Sequence, residues 1–240
     1  MTASSDLAVA AGYTEWTERR TGWVLWRSSG SGIQHVLPDV NADLMFWDGE
    51  LQLAGYDTTV HEFDRGPGAT TYGLRLPAGM LPYLLQDSAA TATDARVPIS
   101  LPPGDSRIAG LVEELPGADD PRPILSAIVR HRLSRADPDP RAGRAAERIL
   151  VLAEQNASVA RIASSLGWSQ RKLHRFCIDT FGVPASVVRS LSRFKIAHRL
   201  LASGSRPADV AAIAGYTDQS HLARHIKRFA ATTPRAIGRP

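Results

Sequence analysis

Val159-Ala160-Arg161-Ile162-Ala163-Ser164-Ser165-Leu166-Gly167-Trp168-Ser169-Gln170-Arg171-Lys172-Leu173-His174-Arg175-Phe176 and Pro207-Ala208-Asp209-Val210-Ala211-Ala212-Ile213-Ala214-Gly215-Tyr216-Thr217-Asp218-Gln219-Ser220-His221-Leu222-Ala223-Arg224-His225 carry one pattern twice. Ala163 answers to Ala211 and Gly167 to Gly215 at an offset of 48, while Leu173 answers to Leu222 and Arg175 to Arg224 at 49. The second copy therefore holds one extra residue in its turn. Each copy predicts a short helix whose small residue lets a second helix cross closely, followed by a glycine at a sharp turn of positive φ. Trp168 or Tyr216 then pins the turn to the core. Ser169 or Thr217 offers a hydroxyl cap for the next helix, with Asp218 a second candidate in the later copy.

That next helix is amphipathic in both copies. Leu173, Phe176, Cys177 and Thr180 form one apolar stripe; Leu222, His225, Ile226 and Phe229 form its counterpart. The opposite faces carry Gln170, Arg171, His174 and Arg175 in the first copy, and Gln219, Ser220, Ala223, Arg224 and Lys227 in the second. These polar and basic side chains can reach base edges and phosphates in a major groove, so the pattern is that of two helix-turn-helix modules. A helical stripe through Leu191, Phe194, Ala197, Leu200 and Leu201 joins them. A connecting helix of about 17 residues spans ~25 Å, which could set the two modules on successive groove windows one turn (~34 Å) apart. One such copy alone could be an ordinary helical hairpin; two in tandem argue for a DNA reader.

Charge supports the same conclusion. The 240-residue chain is only +4 overall, but residues 1–141 hold 12 Arg and no Lys against 19 Asp and Glu, a balance of −7. Residues 142–240 hold 16 Lys and Arg against 5 acids, a balance of +11, the electrostatic footprint of a polyanion binder. Arginine supplies 25 of the 28 basic residues, which suits bidentate phosphate and guanine contacts.

The first hundred residues have a different texture. Four of five tryptophans, Trp16, Trp23, Trp26 and Trp47, fall there among short apolar runs separated by turn residues. Asp48-Gly49 between two such runs is a hairpin signal. Many short strands at about 8–12 residue spacing argue for a β-barrel or sandwich, with the tryptophans as core. Residues 104–134 switch to helical spacing. Ala136-Asp137-Pro138-Asp139-Pro140 then predicts an extended linker at the charge boundary. The expected fold class is α+β. A β-barrel or cupin-like sensor or dimerisation domain with a small helical part occupies 1–134, followed by a linker at 135–143. An all-α domain of two tandem helix-turn-helix modules joined by a linker helix occupies 144–240.

Residues 144–240 resemble the DNA-binding domain of AraC/XylS-type transcription regulators. The resemblance is carried by Gly215 to Arg228 with Thr233-Pro234 in the second copy, and by Ile162-Ala163, Leu166-Gly167, Leu173, Arg175-Phe176, Phe181-Gly182, Arg193, Ala197 and Leu200-Leu201 before it. It implies seven helices and insertion of two recognition helices in the major groove. Arg171, His174 and Arg175 would read bases in the first module, and Gln219, Ser220, Ala223 and Arg224 in the second. Three positions depart from the pattern: Ala231 where glycine is usual, Ile237 for a common Tyr, and Pro184 one residue early. The N-terminal half resembles, more loosely, the short sensor-like domain of some actinobacterial members through Leu37-Pro38-Asp39, Asp43-Leu44, Gly55 and residues 73–79.

Double-stranded DNA is the expected partner. A small-molecule effector, a homodimer and contact with RNA polymerase stay open, and no cofactor is called for. Two other readings also stay open. One is a cupin-like metal-binding protein or enzyme with a basic DNA-binding tail, using His35 and His61 with Asp39 or Glu62. The other is an architectural binder with little sequence preference. No Gly-x-Ser-x-Gly elbow supports hydrolase chemistry. The single Cys177, expected as a packing residue, excludes an intrachain disulfide and a cysteine cluster for alkyl transfer. Residues 1–11 lack a basic leader region, their apolar run at 7–11 is short for a signal peptide, and no stretch approaches the ~18 apolar residues of a membrane span. The expectation is a cytoplasmic protein, on the nucleoid when bound.

Overall fold

The computed structural model describes residues 12–99 and 104–238, so the leader-region expectation for residues 1–11 lies outside it. Six strands form an antiparallel sheet in the order β1-β2-β7-β4-β5-β8: β1 Tyr13–Thr17, β2 Val24–Ser29, β4 Asp43–Trp47, β5 Glu50–Ala54, β7 Thr70–Arg75 and β8 Arg96–Pro98. β3 (Gly32–Val36) and β6 (His61–Arg65) pair with each other as a separate ribbon. The N-terminal half is thus β-rich as expected. Among the described residues the sheet stays open instead of closing into a barrel. The β4–β5 turn is the Asp48-Gly49 hairpin, with φ of 51° and 77°, the pair of positive values that a two-residue turn of matching twist demands.

Side-chain alternation decides which face does what. Leu25, Leu74, Leu44, Leu53 and Val97 stand directly opposite one another across five strands. The four leucines are at most 5% exposed and face the helices. The flanking residues Tyr13, Trp26, Ser28, Asp43, Met45, Trp47, Gln52, Ala54, Thr71 and Arg75 point the other way. With the inner face of the β3–β6 ribbon they enclose a cavity of about 410 Å³. Gly73 leaves room there for the Trp26 indole, which lies where a Cβ would be. Two of the tryptophans expected in the core, Trp26 and Trp47, therefore line a cavity.

Short helix α1 (Leu81–Leu85) and α2 (Ser106–Glu114) lead to α3 (Arg122–Ala136). α3 and α4 (Pro140–Glu154) leave only Asp137, Pro138 and Asp139 between them, so the extended linker expected at 135–143 is replaced by a tight helix-to-helix corner. The prolines fit because Pro140 opens α4, where its missing N–H is no loss, and the Asp139 side chain accepts from the Arg141 N–H. α5 (Val159–Ser165), α6 (Gln170–Phe181), α7 (Ala185–Ala202), α8 (Pro207–Ile213), α9 (Gln219–Ala230) and α10 (Pro234–Ile237) complete the chain.

One apolar core runs from the leucine face of the sheet through α4 and α7 into the helical half. At the seam the Tyr56 ring meets Phe181 edge-on at 5.4 Å, the Thr93 hydroxyl donates to the Gly182 carbonyl at 3.2 Å, and Ser88 donates to Ile178 at 3.4 Å. Gly182, at φ 73°, packs against the Ala89 carbonyl, 2.8 Å from where a Cβ would stand. Where the family pattern has a glycine, Ala231 closes α9 with φ 51° and ψ 19°. A Cβ in this left-handed conformation is strained, so Ala231→Gly is expected to raise stability by about 1 kcal/mol, read as a higher denaturant midpoint with unchanged slope.

Candidate nucleic-acid interface

The repeated segments fold as the sequence predicts. α5–α6 and α8–α9 are two helical pairs, with Ala163 and Ala211 buried at their crossings. Gly167 and Gly215 take φ of 65° and 73° in the turns. The extra residue of the second turn has a structural consequence. Ser169 caps α6 by accepting from the Lys172 N–H at 3.2 Å, whereas in the second copy the cap is Asp218, accepting from the His221 N–H at 2.7 Å. The displaced Thr217 instead lies 2.8 Å from His221 Nδ1 through its hydroxyl.

Each second helix buries most of the stripe expected of it, with Phe176 and His225 only half-buried. Leu173, Cys177, Thr180 and Phe181 are buried on α6, and Leu222, Ile226 and Phe229 on α9. Phe176 rests on Trp168 at 5.0 Å. Cys177 is fully buried and its thiol is pushed up to about 12, the behaviour of a packing residue. On the outer faces Gln170, Arg171, His174, Arg175, Gln219, Ser220, Arg224 and Lys227 are exposed, with Ala223 half-buried among them.

Which cations are already engaged separates structural arginines from available ones. Arg206 is held by Asp209 at 2.8 Å, Arg193 covers the Tyr216 ring at 4.5 Å, and Arg189 donates to Asn156. Among the described residues Arg171, Arg175, Arg224 and Lys227 have no carboxylate partner. Exposed and unpaired, they keep their charge available to phosphates. Lys172 and Arg228 also lie exposed on these helices and were not singled out from sequence. Their adjacency to Arg171 and Lys227 was the available signal.

The metal set weighed from sequence does not assemble. His35 pairs with Glu62 at 3.2 Å in an exposed position, and Asp39 accepts from the Asn41 N–H at 2.9 Å. His61 instead lies near Asp57 and Asp94, at 3.1 and 3.6 Å. That trio is the one group of metal-ligand spacing among the described residues, but Arg96 holds both Asp57 oxygens at 2.9 and 2.7 Å, placing a guanidinium where a cation would sit.

Residues 162–239 match the family of helix-turn-helix domains. No curated protein matches the chain. Among solved structures, an AraC-type DNA-binding regulator from Chromobacterium violaceum is 21% identical, covering 42% of this chain and 94% of that one at a TM-score of 0.39. ToxT from Vibrio cholerae is 11% identical over 95% of this chain and 97% of its own, at 0.47.

On the inner side of α9, His225 is wedged against Tyr216, His221 and Phe229 at 5.2–5.3 Å. Burial, with Arg193, His221 and Arg228 nearby, lowers its pKa from 6.5 to about 4. The folded state therefore holds fewer protons here than the unfolded chain between these values, and stability contributed by the neutral ring is lost as pH falls from about 6.5 toward 4. Melting curves across that range should show this fall, and His225→Phe should flatten it.

A duplicated helical pair, a family match over the same residues and an exposed basic face on each second helix converge on one assignment: residues 162–239 form a helix-turn-helix domain.

Proposed function

We propose that the chain is an AraC-type transcription regulator, which recognises a specific double-stranded site by laying α6 and α9 in two adjacent major-groove segments. Arg171, His174 and Arg175 serve as base readers in the first, with Gln170 beside them. Gln219, Ser220, Ala223 and Arg224 serve in the second, with Lys227 on the phosphates. The observation that carries this reading is the pair of repeat helices whose exposed Arg171, Arg175, Arg224 and Lys227 have no carboxylate partner among the described residues. Phosphate contacts would supply affinity and base contacts the preference. The reading divides the chain into a sensor half at 1–134 and a DNA-binding half from 144, and places it in the cytoplasm where DNA is accessible. A homodimer and a contact with RNA polymerase belong to the same reading and rest on the resemblance alone.

The cavity between the sheet and the β3–β6 ribbon supports control by a small effector. Ala54, Gly55 and Asp57 line it, while Tyr56 between them turns away to Phe181 of α6. Asp94 lines it too, and its neighbour Thr93 donates to Gly182 at the end of α6. The wall between cavity and first reading helix is thus one layer of chain.

Two outcomes test DNA recognition. Arg224→Ala should weaken binding to the chain's selected site by about 1–3 kcal/mol while leaving the melting temperature in place; unchanged affinity would show that α9 is docked in another register. Affinity of the whole chain should fall steeply between low and physiological salt, because each neutralised phosphate releases counterions. In a competition titration a specific regulator should prefer its site by ~10³ or more over random DNA, whereas an architectural binder would not.

A further inference from the structure

The cavity between the six-stranded sheet and the β3–β6 ribbon has charged walls, and nearly all of that charge is internally spoken for. Asp43 accepts from the Trp26 indole N–H at 2.7 Å, and Asp57 is clasped by Arg96. Asp94 accepts from the Thr58 N–H and hydroxyl at 2.6 Å each, Asp39 from Asn41, and Glu62 faces His35. Arg75 is bridged to Glu15 at 3.1 Å.

Arg65 is the exception. It points inward from β6 by the same alternation that brings in His61 and Phe63, and it is only 3% exposed. Its Nη1 donates to the Ser28 hydroxyl at 2.9 Å and its guanidinium lies 5.2 Å from the centre of the Phe63 ring, while its Nε is buried with no acceptor. No carboxylate opposes it among the described residues; burial alone acts on it, lowering its pKa. A guanidinium nevertheless stays charged, so a positive charge with an aromatic neighbour but no counter-anion among the described residues stands in the wall. Ser28 and Thr71 are directly opposite residues on β2 and β7. Thr71 is 5% exposed, and its hydroxyl too is buried without a partner. The Ser28 hydroxyl accepts from Arg65, which leaves its own proton free to donate. One corner of the cavity therefore gathers Arg65 Nε, the Thr71 hydroxyl and the Ser28 hydroxyl, all donors. Leaving such groups buried and unmatched is unfavourable by the full desolvation penalty unless an acceptor arrives.

From this corner we infer that the cavity takes a small organic anion, a carboxylate or phosphate monoester, whose charged head meets Arg65, Ser28 and Thr71 and whose flat apolar body lies against Trp47 and Phe63. The edge-on pair Trp47 and Phe63, with ring centres 5.9 Å apart, supplies the apolar wall, and about 410 Å³ is room for a compact aromatic molecule. A cationic ligand is disfavoured because each acid lining the cavity already has a partner. This inference names the ligand class of the effector site proposed above and rests on that reading for its regulatory meaning.

The test uses the full chain and matched probes: phenylacetate against phenylacetamide, and phenyl phosphate against phenol. Thermal melts should rise with at least one of the two anions and not with its neutral counterpart, and the anion that binds identifies the head group. Arg65→Met should lower affinity for that anion about ten- to hundredfold, as expected for loss of a charged hydrogen bond, yet the ligand-free variant should melt no lower than the parent because an unpaired buried charge has gone. Arg65→Lys should retain part of the binding. Equal binding of neutral and anionic probes, inert anions, or an Arg65→Met variant that keeps its anion affinity would each overturn the inference. DNA affinity measured with the bound anion separates the two claims. Arg65-dependent binding without any change at DNA keeps the anion site and removes the effector reading.

Discussion

A single transverse row of side chains holds the β-rich half in register: Leu25, Leu74, Leu44, Leu53 and Val97, each opposite the next across β2, β7, β4, β5 and β8. Burying a leucine is worth about 1.5–3 kcal/mol, so the row is a strong constraint for its size. The adjacent row on the opposite face reads Val24, Arg75, Asp43, Ala54 and Arg96. A slip of one residue would exchange the two and drive Asp43, Arg75 and Arg96 against the helices. The cavity is therefore the reverse side of the core: the same alternation that buries leucine on one face must present charge and aromatic rings on the other.

That arrangement also explains why an acidic half and a basic half coexist without neutralising each other. Several acids of the N-terminal half are paired within it, Asp57 by Arg96, Glu15 by Arg75, Glu18 by Arg130 and Asp105 by His131. The seam between the halves is instead apolar and neutral, built from Tyr56 against Phe181 and from hydroxyl-to-carbonyl bonds. A salt-bridged seam would have drawn on the arginines of the reading helices. The neutral one leaves Arg171, Arg175, Arg224 and Lys227 exposed to solvent.

The helical half was legible in the sequence because its signals are local. Gly167 and Gly215 mark turns by φ, Ser169 marks a cap, and the stripes follow a 3.6-residue period over a full helix. The choice between Thr217 and Asp218 as cap was left open, since one inserted residue shifts the register and only the placed backbone shows which oxygen reaches the N–H. The corner at Asp137–Asp139 was misjudged as extended because Pro140 both interrupts chains and begins helices. The β half was less legible. β1 and β8 have weak patterns, and β6, His61-Glu62-Phe63-Asp64-Arg65, has no apolar-in rhythm. That broken rhythm was itself the sign of a strand facing a polar cavity, and Arg65 is invisible as an orphan until the distant Ser28 and Thr71 are seen beside it.

The seam makes the two modules mechanically unequal. α6 ends directly against the 3-10 turn at Ala89–Ala92 and its neighbour Thr93, which adjoin the cavity wall. α9 packs on α7, α8 and α10. A displacement of the wall therefore reaches α6 through van der Waals contact, but reaches α9 through intervening elements of the helical half, chiefly α7. α7 is an 18-residue helix buried against α4, with Val188, Leu191, Phe194 and Ala197 fully covered, and such close-packed elements move as rigid bodies with discrete arrangements. A change in the N-terminal half can thus alter the angle between the two reading helices, through α6 against a fixed α7, more readily than it can alter either helix itself. On the proposed reading both helices meet grooves a fixed distance apart on one rigid duplex, which makes that angle the quantity to which simultaneous docking is most sensitive.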